Sequence, residues 1–341
     1  GETRLSKILP QDYQEYSKLI EEGHSQRSAC LILGLNRSTI QRYIKGVLED
    51  EVAEDGEQYL ELPSKDDDTV ENNQPKICYL DIEKSFNISG HFGAWSQNLR
   101  QEAKFRESHI LSYCYAFNDD ADIKGSIIPA KELKDDFVKC LVEGKVHTTV
   151  DELLVLELWA LFNNSDVIVA YNGRGFDVKE IQARFLMYGL PPTSPVKVID
   201  PLLIVKDKFR LPFKSLKYVA EFLGVTQKLE NSGNDLWKKA TMGDEEALQE
   251  MLDYNKGDII TLREVYKKLQ GWGNSGTNLA LYNANHDALC TNCGSDDISS
   301  IEGKYTYTAQ RKYSLYRCNL CKAVLRSNRK EGNSNSLVRV V

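Results

Sequence analysis

Lys76-Ile77-Cys78-Tyr79-Leu80-Asp81-Ile82-Glu83-Lys84-Ser85 is a short apolar run that ends in two carboxylates one residue apart. It reads as a β-strand. Side chains alternate across a strand, so Asp81 and Glu83 project from one face while Leu80 and Ile82 project from the other. Two half-buried acids side by side repel each other and resist desolvation, a cost that a divalent cation removes. On its own, D-x-E is also found in exposed strands that bind nothing.

Outward from this strand the sequence alternates in the manner of an α/β domain. His109 to Asn118 and Gly125 to Pro129 read as two more strands, and Asp151 to Asn163 as an amphipathic helix carrying Leu153, Leu154, Leu156, Leu158, Trp159 and Phe162. Val167 to Ala170 is β-branched and too short for a helix, which marks a buried strand. It empties into Tyr171-Asn172-Gly173-Arg174-Gly175-Phe176-Asp177, and Val178 to Tyr188 continues as a helix. A longer helix is expected from Asp244 to Leu269, where Tyr254 and Asp258 stand four apart and share a face. Three strands, a helix, a strand and a helix is the order of the ribonuclease H-like fold. The expected class is therefore α/β, a mixed sheet flanked by helices.

The succession D-x-E (Asp81, Glu83), N-G-x-x-F-D (Asn172, Gly173, Phe176, Asp177) and Y-x-x-x-D (Tyr254, Asp258) resembles the three motifs of the DEDDy branch of the DnaQ-like 3′–5′ exonucleases. These motifs also occur in proofreading domains of DNA polymerases. Asp200-Pro201-Leu202 and Ser215 to Ala220 add to the likeness, which covers about residues 76–270. The resemblance implies a nuclease that uses two Mg²⁺ or Mn²⁺ ions and releases nucleoside 5′-monophosphates from a 3′ end. By the same resemblance Asp81 would bridge both metals, Glu83 and Asp258 would complete the first, Asp177 would hold the second, and Tyr254 would orient the attacking water. Asn172 and Phe176 would shape the cleft and wedge terminal bases, or else serve as a turn amide and a core aromatic. Lys206 to Lys217, with Lys214 among Phe209 and Phe213, suits a single-stranded backbone or a solvated amphipathic helix. Phe92 and Trp95, in the insertion after the first strand, are candidate stacking platforms on a flap or an ordinary hairpin.

The chain's 341 residues suffice for two or more domains, and its net charge of -7 is uneven. Residues 49–71 carry eleven acids against Lys65, while residues 1–48 carry +2 and 285–341 carry +4. Polyanion contact is therefore expected at the two ends. Residues 1–48 are expected to form one small domain, in which residues 11–46 read as three short helices. Gln26 to Tyr43 resembles a helix-turn-helix of DNA binders, with a helical protein-docking module as the alternative. Residues 49–75 read as an acidic linker, 76–272 as the ribonuclease H-like exonuclease domain, and 333–341 as a disordered tail.

Cys30, Cys78, Cys114 and Cys140 are scattered in apolar contexts and read as small buried hydrophobes. Cys290-x-x-Cys293 and Cys318-x-x-Cys321, with twenty-four residues between them, look like a zinc ribbon over 285–332, with β structure expected from Tyr305 to Tyr316. Such a Zn²⁺ is structural, since four thiolates leave no open position. Disulfide pairing is the other reading of the four cysteines. The lack of an eighteen-residue apolar run or signal-type segment argues against a membrane partner and for a cytoplasmic protein. The resemblance to exonucleases of bacteria and phages implies the cytoplasm of a bacterium or of a phage-infected host. Nucleic acid, DNA ahead of RNA, is the expected partner, along with replication or repair proteins. A structure-specific endonuclease and a non-catalytic DNA-binding regulator are the competing functions.

Overall fold

β1 (Ile77–Lys84) runs through the middle of a five-stranded sheet because both its faces are covered. Cys78, Leu80 and Ile82 fill one side and Tyr79 the other, all of them buried. A computed structural model describes residues 75–90, 101–144, 147–225, 233–273, 276–282, 288–308 and 310–332, together with Lys18. The chain divides into two compact units, Gly1–Thr69 and Val70–Val341, and every described residue except Lys18 belongs to the second. The helix-turn-helix, nearly all of the acidic linker, the 333–341 tail, Cys30, Phe92 and Trp95 lie outside the described residues.

After β1 the chain makes a small antiparallel hairpin, β2 (Ile88–Ser89) with β3 (Lys104–Arg106), which favours the hairpin reading of this insertion. β4 (Ile110–Phe117) and β5 (Lys124–Ile127) then complete an antiparallel meander with β1. Two helices follow where one was expected. α1 (Ala130–Glu143) escapes a pattern-based reading because it buries only Leu133 and Cys140, so its apolar stripe is too thin to stand out. α2 (Glu152–Asn163) buries Leu154, Val155, Leu158, Leu161 and Phe162. Next come β6 (Val167–Val169), α3 (Asp177–Met187) and β7 (Lys197–Ile199), a three-residue strand too short to announce itself. β6 pairs in parallel with β1 on one side and with β7 on the other.

The sheet order is β5-β4-β1-β6-β7, antiparallel on one half and parallel on the other, as a ribonuclease H-like fold requires. α2 and α3 cover the Leu80 face, where Phe162 and Phe185 meet edge to face at 5.5 Å. Each fully buried side chain of this kind contributes on the order of 1.5–3 kcal/mol.

The opposite face is covered by later elements. α4 (Pro201–Lys208) starts at Asp200, whose carboxylate accepts from the Leu202 amide at 3.0 Å, with Pro201 at the first helical position. It stops before Pro212, so the stretch 206–217 is not one amphipathic helix: an extended segment separates it from α5 (Leu216–Leu223), capped by Ser215. α6 (Asn234–Thr241) precedes α7 (Glu245–Leu269), whose cap Asp244 accepts from Ala247 N at 2.9 Å. Ile259, Leu262, Val265 and Tyr266 of α7 pack with Tyr79, Cys114 and Ala116 of the sheet.

Beyond α7, β8 (Ile298–Tyr307), β9 (Lys312–Cys318) and β10 (Val324–Arg326) form a separate antiparallel sheet in the order β10-β9-β8. This small sheet is seated on the end of α7. The Asn292 amide donates to Gln270 O at 2.9 Å, and a Cβ on Gly271 would fall 2.1 Å from the Cys321 carbonyl oxygen, so only glycine permits the approach. Among the described residues no helix is long and apolar enough to cross a membrane.

Candidate active site

β6 pairs with β1 only as far as Tyr79, and past that point the parallel edge of β1 is open. Asp81 and Glu83 lie on this unpaired stretch, at the carboxyl end of the strand where parallel and antiparallel halves diverge, the position at which open α/β sheets present ligand sites. α7 passes over the same face. It brings Asp258, 3% exposed, against them, so that Asp81, Glu83 and Asp258 each offer a carboxylate oxygen within 4.8 Å of the other two. Asn255, also fully buried and one turn earlier, donates to the Asp81 carbonyl oxygen at 3.4 Å and ties helix to strand.

Asp177 is the first residue of α3 and is 3% exposed. Its Oδ1 accepts from the Ile82 amide at 3.3 Å, filling the ladder position that β6 vacates. Asp177 thus joins the strand between the two acids, but its carboxylate is not one of the three that converge. Burial pushes its carboxyl up to about 6, against the pull of the Asp177 and Ile82 amides, and Asp200 and Glu180 add to the rise.

The turn before α3 is built by close approach. Asn172 has φ +64, a left-handed conformation that Asn tolerates. Its carbonyl accepts from Gly175 N and Phe176 N, both at 2.9 Å. A Cβ on Gly173 would meet the Ala170 Cβ at 2.4 Å. The buried Asp200 carboxylate takes the amides of Asn172 (2.9 Å) and Arg174 (3.3 Å) as well as that of Leu202. Burial raises the Asp200 carboxyl, opposed by these three amides. The Asn172-Gly173 pair is accounted for by this turn. Phe176 stays 40% exposed beneath the Lys84 ammonium, which also pairs with Glu180. Lys214 donates to the Leu211 carbonyl at 3.3 Å, and its own carbonyl accepts from the Tyr171 hydroxyl at 2.7 Å.

Trp237 had no place in the sequence-based set. From α6 its indole N–H donates to Glu83 Oε2 at 3.2 Å, and its ring meets Tyr254 edge-on at 6.1 Å. It therefore orients one of the three converging acids and packs on the tyrosine. No local signal marks it, because its partners lie 154 residues upstream and one helix downstream.

A second cluster occupies the small sheet. The sulfurs of Cys290, Cys293, Cys318 and Cys321 lie within 4.8 Å of one another, with Cys290···Cys321 at 3.7 Å and Cys293···Cys318 at 3.6 Å. A tetrahedron with metal–sulfur bonds of about 2.3 Å has edges of about 3.8 Å, whereas a disulfide brings sulfurs to about 2.05 Å. The spacing fits a four-thiolate metal site, and the disulfide reading is not the arrangement found. Each knuckle is closed by a residue with positive φ directly after its second cysteine, Gly294 (+77) and Lys322 (+65). The carbonyls of Cys290 and Cys318 accept from these two amides at 2.7 and 3.0 Å. The donor sets differ in hardness: the carboxylates suit Mg²⁺ or Mn²⁺, whose ligand bonds of about 2.0–2.2 Å put paired oxygens about 3–4 Å apart, while the thiolates suit Zn²⁺.

Residues 134–270 match the family model of the RNase_H superfamily. No curated protein matches the sequence. Among solved structures, the family B DNA polymerase of the hyperthermophilic archaeon Pyrobaculum calidifontis is 15% identical with a TM-score of 0.37; the match covers 70% of this chain and 32% of the polymerase. This chain therefore spans about a third of that polymerase. The strand order of the central sheet and the family match together give the chain a ribonuclease H-like fold.

Proposed function

We propose that the chain is a metal-dependent 3′–5′ exonuclease that hydrolyses DNA to nucleoside 5′-monophosphates. One observation carries the reading: three carboxylates from two distant elements converge at the open carboxyl end of β1, within reach of one divalent cation. Asp81, Glu83 and Asp258 would hold the first Mg²⁺ or Mn²⁺, and Asp81 and Asp177 the second. When bound, the pair supplies charge neutralisation on the scissile phosphate and a water acidified for in-line attack.

The rest falls to the protein. Tyr254, one helical turn before Asp258, orients the incoming water, since a phenol hydroxyl suits hydrogen bonding better than proton abstraction. The Trp237 N–H keeps Glu83 in one rotamer. The exposed Phe176 ring, with the Lys84 cation over it, offers the terminal base a stacking surface beside a phosphate partner. Residues 285–332 form a structural zinc ribbon on the same reading, and residues 1–48 a helix-turn-helix that recruits the enzyme to DNA. Replication or repair proteins are its expected company.

End-labelled single strands, duplexes and closed circles, incubated with and without Mg²⁺, test the proposal. Mononucleotides released from free 3′ ends support it. Cleavage of circles would indicate an endonuclease instead, and binding without products a non-catalytic regulator.

A further inference from the structure

The small C-terminal sheet carries more than its cysteines. β8 pairs with β9 so that Tyr305 faces Ser314 and Tyr307 faces Lys312. Alternation along the strand then puts both tyrosines and Lys312 on one face. Tyr307 is 69% exposed and Tyr305 38%, and the Lys312 ammonium stands 3.6 Å from the centroid of the Tyr305 ring. Residues 288–332 carry eight Lys and Arg against four Asp and Glu, in a chain whose net charge is -7. On the reverse face Arg326 lies over the Tyr313 ring at 4.4 Å.

Exposed tyrosine rings grouped on one face of a cationic module mark a candidate interaction surface. Charge complementarity requires that cover to be anionic, and the rings require it to present flat apolar faces. Single-stranded nucleic acid meets both demands, since it offers phosphates and unstacked bases together. A duplex hides its base faces within its own stack. We propose that the Tyr305–Tyr307–Lys312 face binds single-stranded nucleic acid by base stacking, as a second contact remote in sequence from the candidate active site. The inference deepens the nuclease reading by naming the form of the substrate, yet it is read by binding alone.

Anisotropy of a 5′-labelled twenty-nucleotide deoxythymidine strand, and of a hairpin duplex, is measured on the full chain without added Mg²⁺. Loss of one stacked base at each ring predicts that Tyr305→Ala/Tyr307→Ala weakens single-strand binding at least about 10-fold and duplex binding far less. Tyr305→Phe/Tyr307→Phe, which keeps the rings, stays near wild type. Lys312→Ala lowers the slope of log affinity against log salt by about 1. Should the double alanine variant lose zinc, Tyr307→Ala alone decides, because a side chain so exposed contributes little to folding. Unchanged single-strand affinity in the alanine variants, equal losses on duplex, or equal competition by polyglutamate would overturn the proposal. Ring-dependent binding by a protein that degrades no nucleic acid would uphold this contact and remove the exonuclease reading.

Discussion

Replacing Trp237 by Phe keeps a ring against Tyr254 and deletes one proton, the N–H donated to Glu83 Oε2 at 3.2 Å. A hydrogen bond to a charged acceptor contributes about 1.5–3 kcal/mol when buried. Glu83 is half-buried, so water recovers part of this and about 1.4 kcal/mol, tenfold, is the expected loss. That matches the 10–100-fold range typical when a hydrogen-bond partner of a metal ligand is removed. Expressed as activity, Trp237→Phe should raise the Mg²⁺ concentration for half-maximal degradation about tenfold and lower the rate at saturating Mg²⁺ much less. Trp237→Ala also removes the edge contact with Tyr254, worth about 0.5–1.5 kcal/mol, and should lower the saturating rate further. Titrating Mg²⁺ against release of labelled mononucleotide separates the two effects. A Trp237→Phe protein with the wild-type Mg²⁺ midpoint would refute the assignment of the indole as the group that orients Glu83.

Asp177 predicts a pH dependence without added Mg²⁺ or Mn²⁺. Its folded carboxyl binds a proton more tightly than the unfolded one, so the associated stability is present below about pH 4 and lost as the pH rises through about 6, an order of 3 kcal/mol in all. Melting curves across this range should flatten in Asp177→Asn, and an unchanged slope counts against the burial argument. Gly173→Ala drives a Cβ to 2.4 Å from that of Ala170 and should cost about 1–3 kcal/mol. In Gly175→Ala the one tight contact is with the movable Asn172 Oδ1 at 2.8 Å, the Asn172 backbone oxygen lying at an ordinary 3.4 Å, so its melting temperature should fall less. The four thiols predict one Zn²⁺ per chain by elemental analysis. Its removal by a chelator should destabilise the β8–β10 sheet, and Cys290→Ser should reproduce the effect; a metal-free preparation of unchanged stability argues otherwise.

The residues legible in the sequence were those whose spacing obeys a local rule. Asp81 and Glu83 follow the two-residue period of a strand, Tyr254 and Asp258 the four-residue return of a helix, and the cysteine pairs the geometry of a knuckle. The strand and helix rules also gave each pair a shared face, and Asp258 does reach Asp81 and Glu83. Features created by tertiary contact stayed hidden. Trp237 lies in a short polar helix, and its part depends wholly on where α6 packs. Asp200 stood out only as part of the family likeness; its capping of α4 went unread, and its binding of the 172–174 amides needs β6 and β7 side by side. α1 was lost because its exposed Val138, Leu141 and Val142 blur the contrast between its faces.

Anomalous scattering from crystals grown with Mn²⁺ addresses the metal centre without reference to activity. The account predicts a strong peak within about 2.2 Å of oxygens from Asp81, Glu83 and Asp258, and its absence in Asp258→Ala crystals. Mn²⁺ absent from that position in wild-type crystals, or bound there equally well without Asp258, would contradict the claim that the three carboxylates assemble a catalytic metal site.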